Sequence, residues 1–121
     1  MSEAKSLRTF LGAKDYGRSI RFYETLGFQV KSIDIKMSLV RIENASNFYL
    51  QDYYVKEWCE NSMMFLEVGD LESHWKKTQS KNLTVEFPEV KISEIQHSDW
   101  GSEYFIHDPS GILWHIGKFK D

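Results

Sequence analysis

Four histidines, one cysteine and a surplus of aromatic rings are the side chains with chemistry to offer in this sequence. His115 is the most informative of them. It lies in the otherwise apolar run Ile112-Leu113-Trp114-His115-Ile116, where an imidazole can bond a ligand or act as acid or base near neutral pH. A polar ring in such a strand needs a partner or a pocket, because an unpaired buried polar group is costly. His115 is therefore expected to face a pocket. His74 falls on a predicted helix, and His97 and His107 have no ligand partners at recognisable spacing, so all three read as surface or hydrogen-bonded groups. Cys59 stands alone, with no internal disulfide partner and no evident catalytic context. It reads as an inert thiol in a reducing cytoplasm. Aromatic residues make up 15% of the chain, enough to fill a core and leave some for a binding site.

The elements that must position these groups come from an internal repeat. Phe10-Leu11-Gly12-Ala13-Lys14-Asp15 and Phe65-Leu66-Glu67-Val68-Gly69-Asp70 share Phe, Leu and Asp at an offset of 55, from 10 to 65. Each segment reads as a strand running into a helix. Asp15 and Asp70 are N-cap candidates, since a carboxylate there satisfies free N–H groups and suits the helix dipole. Ser19, Phe22, Tyr23 and Leu26 follow the spacing of a buried helical face, and Leu71, Trp75 and Thr78 do so in the second copy. The helices are expected to stop at Gly27 and Asn82, which tolerate the left-handed conformation and are again 55 apart.

Strand-like runs follow each helix. They cover about 28–33, 35–42 and 48–54, then 84–87, 90–96, 102–107 and 112–119. Glu43-Asn44-Ala45-Ser46-Asn47 and Asp108-Pro109-Ser110-Gly111 supply turn chemistry. The expected architecture is a single α+β domain over 1–121. Module one spans about 7–54, a linker about 55–62, and module two about 63–119. Two tandem βαβββ units form curved mixed sheets around a cleft, with helices on the outer side.

Composition narrows the partners. The net charge is −3 with no basic block, which argues against nucleic acid. The longest apolar run, Met63-Met64-Phe65-Leu66, is far short of a membrane span, and residues 1–6 carry no apolar signal core.

Two motifs carry a resemblance. Asp15-Tyr16-Gly17-Arg18-Ser19-Ile20-Arg21-Phe22-Tyr23 with Leu26-Gly27-Phe28 resembles the first-helix signature of the vicinal oxygen chelate superfamily. That group includes glyoxalase I, bleomycin-resistance proteins and extradiol dioxygenases. Trp100-Gly101 and Phe105, followed by Asp108-Pro109-Ser110-Gly111-Ile112-Leu113-Trp114, resemble its C-terminal hairpin, so the likeness spans roughly 7–119.

The resemblance implies four metal-ligand positions, filled in the enzymes by His, Gln or Glu. Carried over by spacing, they fall on Arg8, Gln51, Met63 and His115. A guanidinium has no lone pair to give a metal, and a thioether is a soft ligand poorly matched to Mg, Mn, Fe or Zn. No metal and no cofactor are therefore expected, and glyoxalase I activity is not. A shift of two residues along any strand would change the set.

Strand alternation extends the site. Arg8, Phe10 and Gly12; Tyr49, Gln51 and Tyr53; Met63, Phe65 and Glu67; and Leu113, His115 and Gly117 share the cleft-side faces. Gly12 would let a ligand approach the backbone, and Trp58, Trp100 and Tyr104 would close over it from loops or strand ends. The opposite faces, from Leu7 and Leu11 to Trp114 and Ile116, form the expected core. Apolar walls with a few polar groups describe a small-molecule pocket. By its resemblance to the metal-free bleomycin-resistance type, the protein is expected to bind a small aromatic or anionic molecule. The alternative is a lyase, isomerase or dioxygenase that uses a metal or His115. A homodimer is expected, because exposed strand edges need covering.

Overall fold

The computed structural model describes residues 2–121. The chain opens with strand β1 (Phe10–Gly12) and helix α1 (Tyr16–Leu26), followed by β2 (Gln29–Asp34), β3 (Met37–Ile42) and β4 (Ser46–Gln51). A short helix, α2 (Lys56–Glu60), lies in the linker. The second half holds β5 (Met63–Glu67), α3 (Leu71–Ser80), α4 (Leu83–Glu86), β6 (Lys91–Ile92), β7 (Gln96–His97), β8 (Gly101–His107) and β9 (Leu113–Phe119). No described helix is long and apolar enough to cross a membrane.

The two halves repeat one topology. The first sheet runs β1-β4-β3-β2, and the second runs β5-β9-β8-β6 with β7 also on β8. In each, the strand before the helix lies parallel to the last strand, and the remaining pairs are antiparallel. The expected run over 90–96 is split into β6 and β7. Between them Ser93 gives its carbonyl to the Trp75 indole at 2.9 Å, and its hydroxyl accepts the Phe105 N–H at 2.9 Å. Those bonds draw the chain out of a regular ladder.

Local chemistry explains the helix ends. The Asp15 carboxylate accepts the Arg18 N–H and the Asp70 carboxylate that of Ser73, at 3.1 and 3.0 Å. Gly27 adopts φ 112°, and Asn82 is also left-handed. The expected buried face of α1, Ser19, Phe22, Tyr23 and Leu26, is the observed one. Residues 84–87 are not a strand. They wind into α4, whose turn buries Leu83 and Phe87 together and sets Phe87 edge-on to Phe22, ring centres 5.6 Å apart. Burying two large apolar side chains outweighs the β preference of Thr84 and Val85.

One core joins the halves. The Tyr23 ring meets Phe48 of the first sheet and Trp114 of the second, and Phe48 touches Trp114 directly with centres 5.5 Å apart. The Tyr23 hydroxyl donates to the buried Asp108 carboxylate at 2.6 Å and accepts the Trp114 indole N–H at 3.0 Å. The other Asp108 oxygen accepts the Ser110 and Ile112 N–H groups. Burial pushes both the Tyr23 and Asp108 pKa values up, Tyr23 well above its ordinary value. Arg18 and Glu89 form an ion pair across the same junction. Leu7, expected in the core, precedes β1 and is 96% exposed. With no ladder partner to fix its face, alternation does not reach it.

Candidate functional site

Each sheet buries one face against the shared core and leaves the other open. On the first open face, Phe10 and Tyr49 pair across β1 and β4 and stack, ring centres 5.0 Å apart at 24°. Arg8 donates to the Tyr49 hydroxyl at 2.9 Å, with its guanidinium 5.6 Å from the ring centre. Leu39 lies opposite Tyr49 and Met37 opposite Gln51, so both belong to this face, although alternation read from β1 and β4 alone does not include them. Tyr53 and Trp58 stand beside it with centres 5.9 Å apart.

The second open face is more aromatic. Phe65, Trp100 and Phe119 form a triangle with ring centres 5.3–5.9 Å apart. Phe65 also stacks toward His115, and Phe105 meets His115 edge-on at 5.0 Å. His115 Nδ1 lies 2.9 Å from the Glu103 carboxylate. Leu113 and Met63 pair at one end of the face, and Glu67 pairs with Gly117 at the other. Gly117 is what seats Phe65, since a Cβ there would come within 2.7 Å of the ring.

Several expected positions change. Tyr104 does not close over the cleft. It is 0% exposed, on the core face of β8, where its hydroxyl meets His74 Nδ1 at 2.6 Å and the Thr78 hydroxyl at 2.9 Å. Burial raises its pKa to about 12 and lowers that of His74. The residue that β8 does present is Glu103, with Phe105, one step out of phase with Tyr104. Counting by two back from Phe105 finds it. Gly12 is not an approach for a ligand, because a Cβ there would lie 2.4 Å from the Tyr53 carbonyl, and the chain itself fills that space.

The register also moves one metal-type position. Phe10 pairs with Tyr49 and Phe65 with His115, so the counterpart of His115 is Tyr49, not Gln51. The β3–β4 turn closes at Ile42 and Ser46, which puts Asn47 already in the ladder, whereas Gly111 is still in its turn. Burial pushes the Cys59 thiol pKa up, which suits an inert group. His97 bonds the Ser102 hydroxyl.

The site residues of the two modules are also divided. Phe10, Tyr49 and Gln51 lie on one sheet with Arg8 held beside them by Tyr49, and Met63, Phe65, Glu67, Leu113 and His115 lie on the other. Because the sheets meet through their core faces at Phe48 and Trp114, the open faces turn away from each other. Among the described residues, no hydrogen bond, ion pair or ring contact joins the two sets.

No protein-family model matches this sequence, and no curated protein matches it. Solved structures do. The bleomycin-binding protein of bleomycin-producing Streptomyces verticillus, complexed with copper(II)-bleomycin, superposes with a TM-score of 0.80 at 19% identity, covering 99% of this chain and 100% of that one. The bleomycin resistance determinant encoded on transposon Tn5 gives 0.76 at 18%, covering 97% and 100%. An antibiotic-binding protein from a Streptomyces species gives 0.77 at 16%, covering 99% and 100%.

This chain has the fold of the bleomycin-resistance proteins.

That fold hosts metalloenzymes as well as binding proteins, so its donor set decides what it can hold. At the four positions the chain offers Arg8, just ahead of β1, and Tyr49, Met63 and His115 on strands. Only His115, through Nε2, is a good donor for a divalent cation, and one good donor among four positions does not make the enzyme-type site. No group of three or more His, Cys, Asp or Glu able to hold a metal forms among the described residues. The residues do not fit a resident metal of the enzyme type.

Proposed function

We propose that this protein binds a small, flat organic molecule in a metal-free cleft completed by two copies of the chain. The observation that carries the reading is the pair of open, ring-covered sheet faces turned away from one another. Phe10 is 55% exposed, Met63 62% and Phe65 46%, which is unusual for side chains on well-formed strands. A single copy presents two half-sites. In a two-fold dimer, the first open face of one copy can stand opposite the second open face of the other, building two equivalent clefts. The charges suit that pairing. On the first face Lys31, Arg41 and Arg8 outnumber Asp34, and on the second Glu67 and Glu103 outnumber Lys91.

In such a cleft the rings hold the apolar body of the ligand. Arg8, already oriented by Tyr49, supplies a positive group for a carboxylate or similar oxyanion, which a guanidinium can bind with two hydrogen bonds. The solved neighbours support binding over catalysis, since those named above are described as bleomycin-binding, antibiotic-binding or resistance proteins. Isomerisation of a hemithioacetal calls for a Lewis acid beside the carbonyl, and Arg8 and Met63 cannot hold one.

The test is a thermal-shift titration with aromatic acids and their matched neutral amides. A bound ligand raises the melting temperature with concentration. Arg8→Met should weaken an acid by about 1.5–3 kcal/mol, the range for a charge-assisted hydrogen bond, and the amide far less. Equal losses for both would refute the role of Arg8. No shift with any aromatic compound would refute the binding reading.

A further inference from the structure

The second open face carries a polar device that stacking alone does not use. β8 and β9 pair Phe105 with His115 and Glu103 with Gly117, so Glu103 sits diagonally beside His115 on the same face. The Nδ1–Oε1 separation is 2.9 Å, and both side chains are largely shielded, 24% and 17% exposed. Phe105 edge-on and Phe65 face-on bound the imidazole plane. His115 Nε2 makes no hydrogen bond among the described residues. It is not sealed off either, for among them the buried side-chain polar atom without a partner is Asn47 Oδ1. Nε2 therefore opens onto the face, in the midst of its rings.

A carboxylate accepts the Nδ1 proton of a neutral imidazole, which fixes the tautomer and leaves the lone pair on Nε2. The face thus offers an oriented acceptor flanked by aromatic surfaces, with a negative charge behind it. A ligand carboxylate would be repelled here by Glu103, and an ether brings no proton. A hydroxyl on an aromatic ring brings both the flat surface and the donor.

We propose that this face selects phenol-type ligands, whose ring packs beside Phe65 and whose hydroxyl donates to His115 Nε2. The proposal rests on the binding reading above and gives it a ligand class. Glu103 acts as a positioning residue, holding the tautomer without touching the ligand.

The experiment compares 2-naphthol with 2-methoxynaphthalene on the full chain, following tryptophan fluorescence, to which Trp100 beside Phe65 should report. A hydrogen bond between neutral groups corresponds to a preference of roughly three- to tenfold for the naphthol. His115→Phe keeps the ring and removes the acceptor, so both probes should then bind alike, at about the affinity of the methoxy compound. Glu103→Leu leaves His115 Nδ1 without its acceptor, so the tautomer is no longer fixed and the ratio of the two affinities should shrink, whereas a merely structural loss would weaken both probes alike. It also serves if His115→Phe fails to fold. Equal affinities in the unaltered protein, or a preference that survives His115→Phe, would overturn the phenol assignment and leave the binding reading standing. Failure of both probes to bind would overturn the two together.

Discussion

Removing the Tyr23 hydroxyl tests how the two modules are held. In Tyr23→Phe the ring packing against Phe48 and Trp114 survives, but two buried hydrogen bonds go. The bond to the Asp108 carboxylate is charge-assisted and worth about 1.5–3 kcal/mol, and the one from the Trp114 indole about 0.5–1.5 kcal/mol. Asp108 and the indole would both lose a partner in a site where water does not replace it. The expected loss is about 2–4 kcal/mol, measured by urea unfolding at fixed protein concentration. That corresponds to a fall in melting temperature of roughly 8–16 °C for a chain of this length. A pH series adds a second check. Burial is the main cause of the raised Asp108 pKa, and the Tyr23 bond opposes it. Without that bond the folded-state value rises further. A group whose folded pKa is raised contributes stability that is full below its unfolded pKa and lost as pH rises through the folded one. The penalty of Tyr23→Phe should thus be largest at neutral pH and narrow as pH falls toward the ordinary aspartate range. A loss under about 0.5 kcal/mol, or one that stays flat with pH, would refute this account of the junction.

Three further outcomes are expected. Gly12→Ala should cost about 1–3 kcal/mol because its Cβ would strike the Tyr53 carbonyl at 2.4 Å, while Gly69→Ala, with nothing within 4 Å, should change stability little in the same unfolding assay. Sedimentation should show a dimer at about twice 14.3 kDa, and a lone 14.3 kDa species at micromolar concentration would contradict the two-copy cleft. Elemental analysis after dialysis should find no stoichiometric divalent metal, and about one Ni, Zn, Fe or Mn per chain would overturn the metal-free reading.

Much of the fold was legible because it rests on local chemistry. The caps at Asp15 and Asp70, the left-handed Gly27 and Asn82, and the apolar stripe of α1 are each set by a few neighbouring residues. The repeat at an offset of 55 then carried the two-module topology. Alternation also separated core from open face along β4, β5 and β9, since side chains two apart cannot change sides within a regular ladder.

Tertiary contacts decided the rest. Residues 84–87 have strand-forming side chains, yet they coil because that turn buries Leu83 and Phe87 together and sets Phe87 edge-on to Phe22. The phase of β8 follows from its register with β9, a partner met only on folding, and it hides Tyr104 and presents Glu103. Register likewise set Tyr49, not Gln51, as the mate of His115, because two turns of different length cannot be compared by counting. Sequence alternation names the residues of an open face but not the direction in which the face looks. That direction came from Tyr23, Phe48 and Trp114, whose packing buries one side of both sheets at once and leaves the ligand-type residues of each module on opposite outer surfaces.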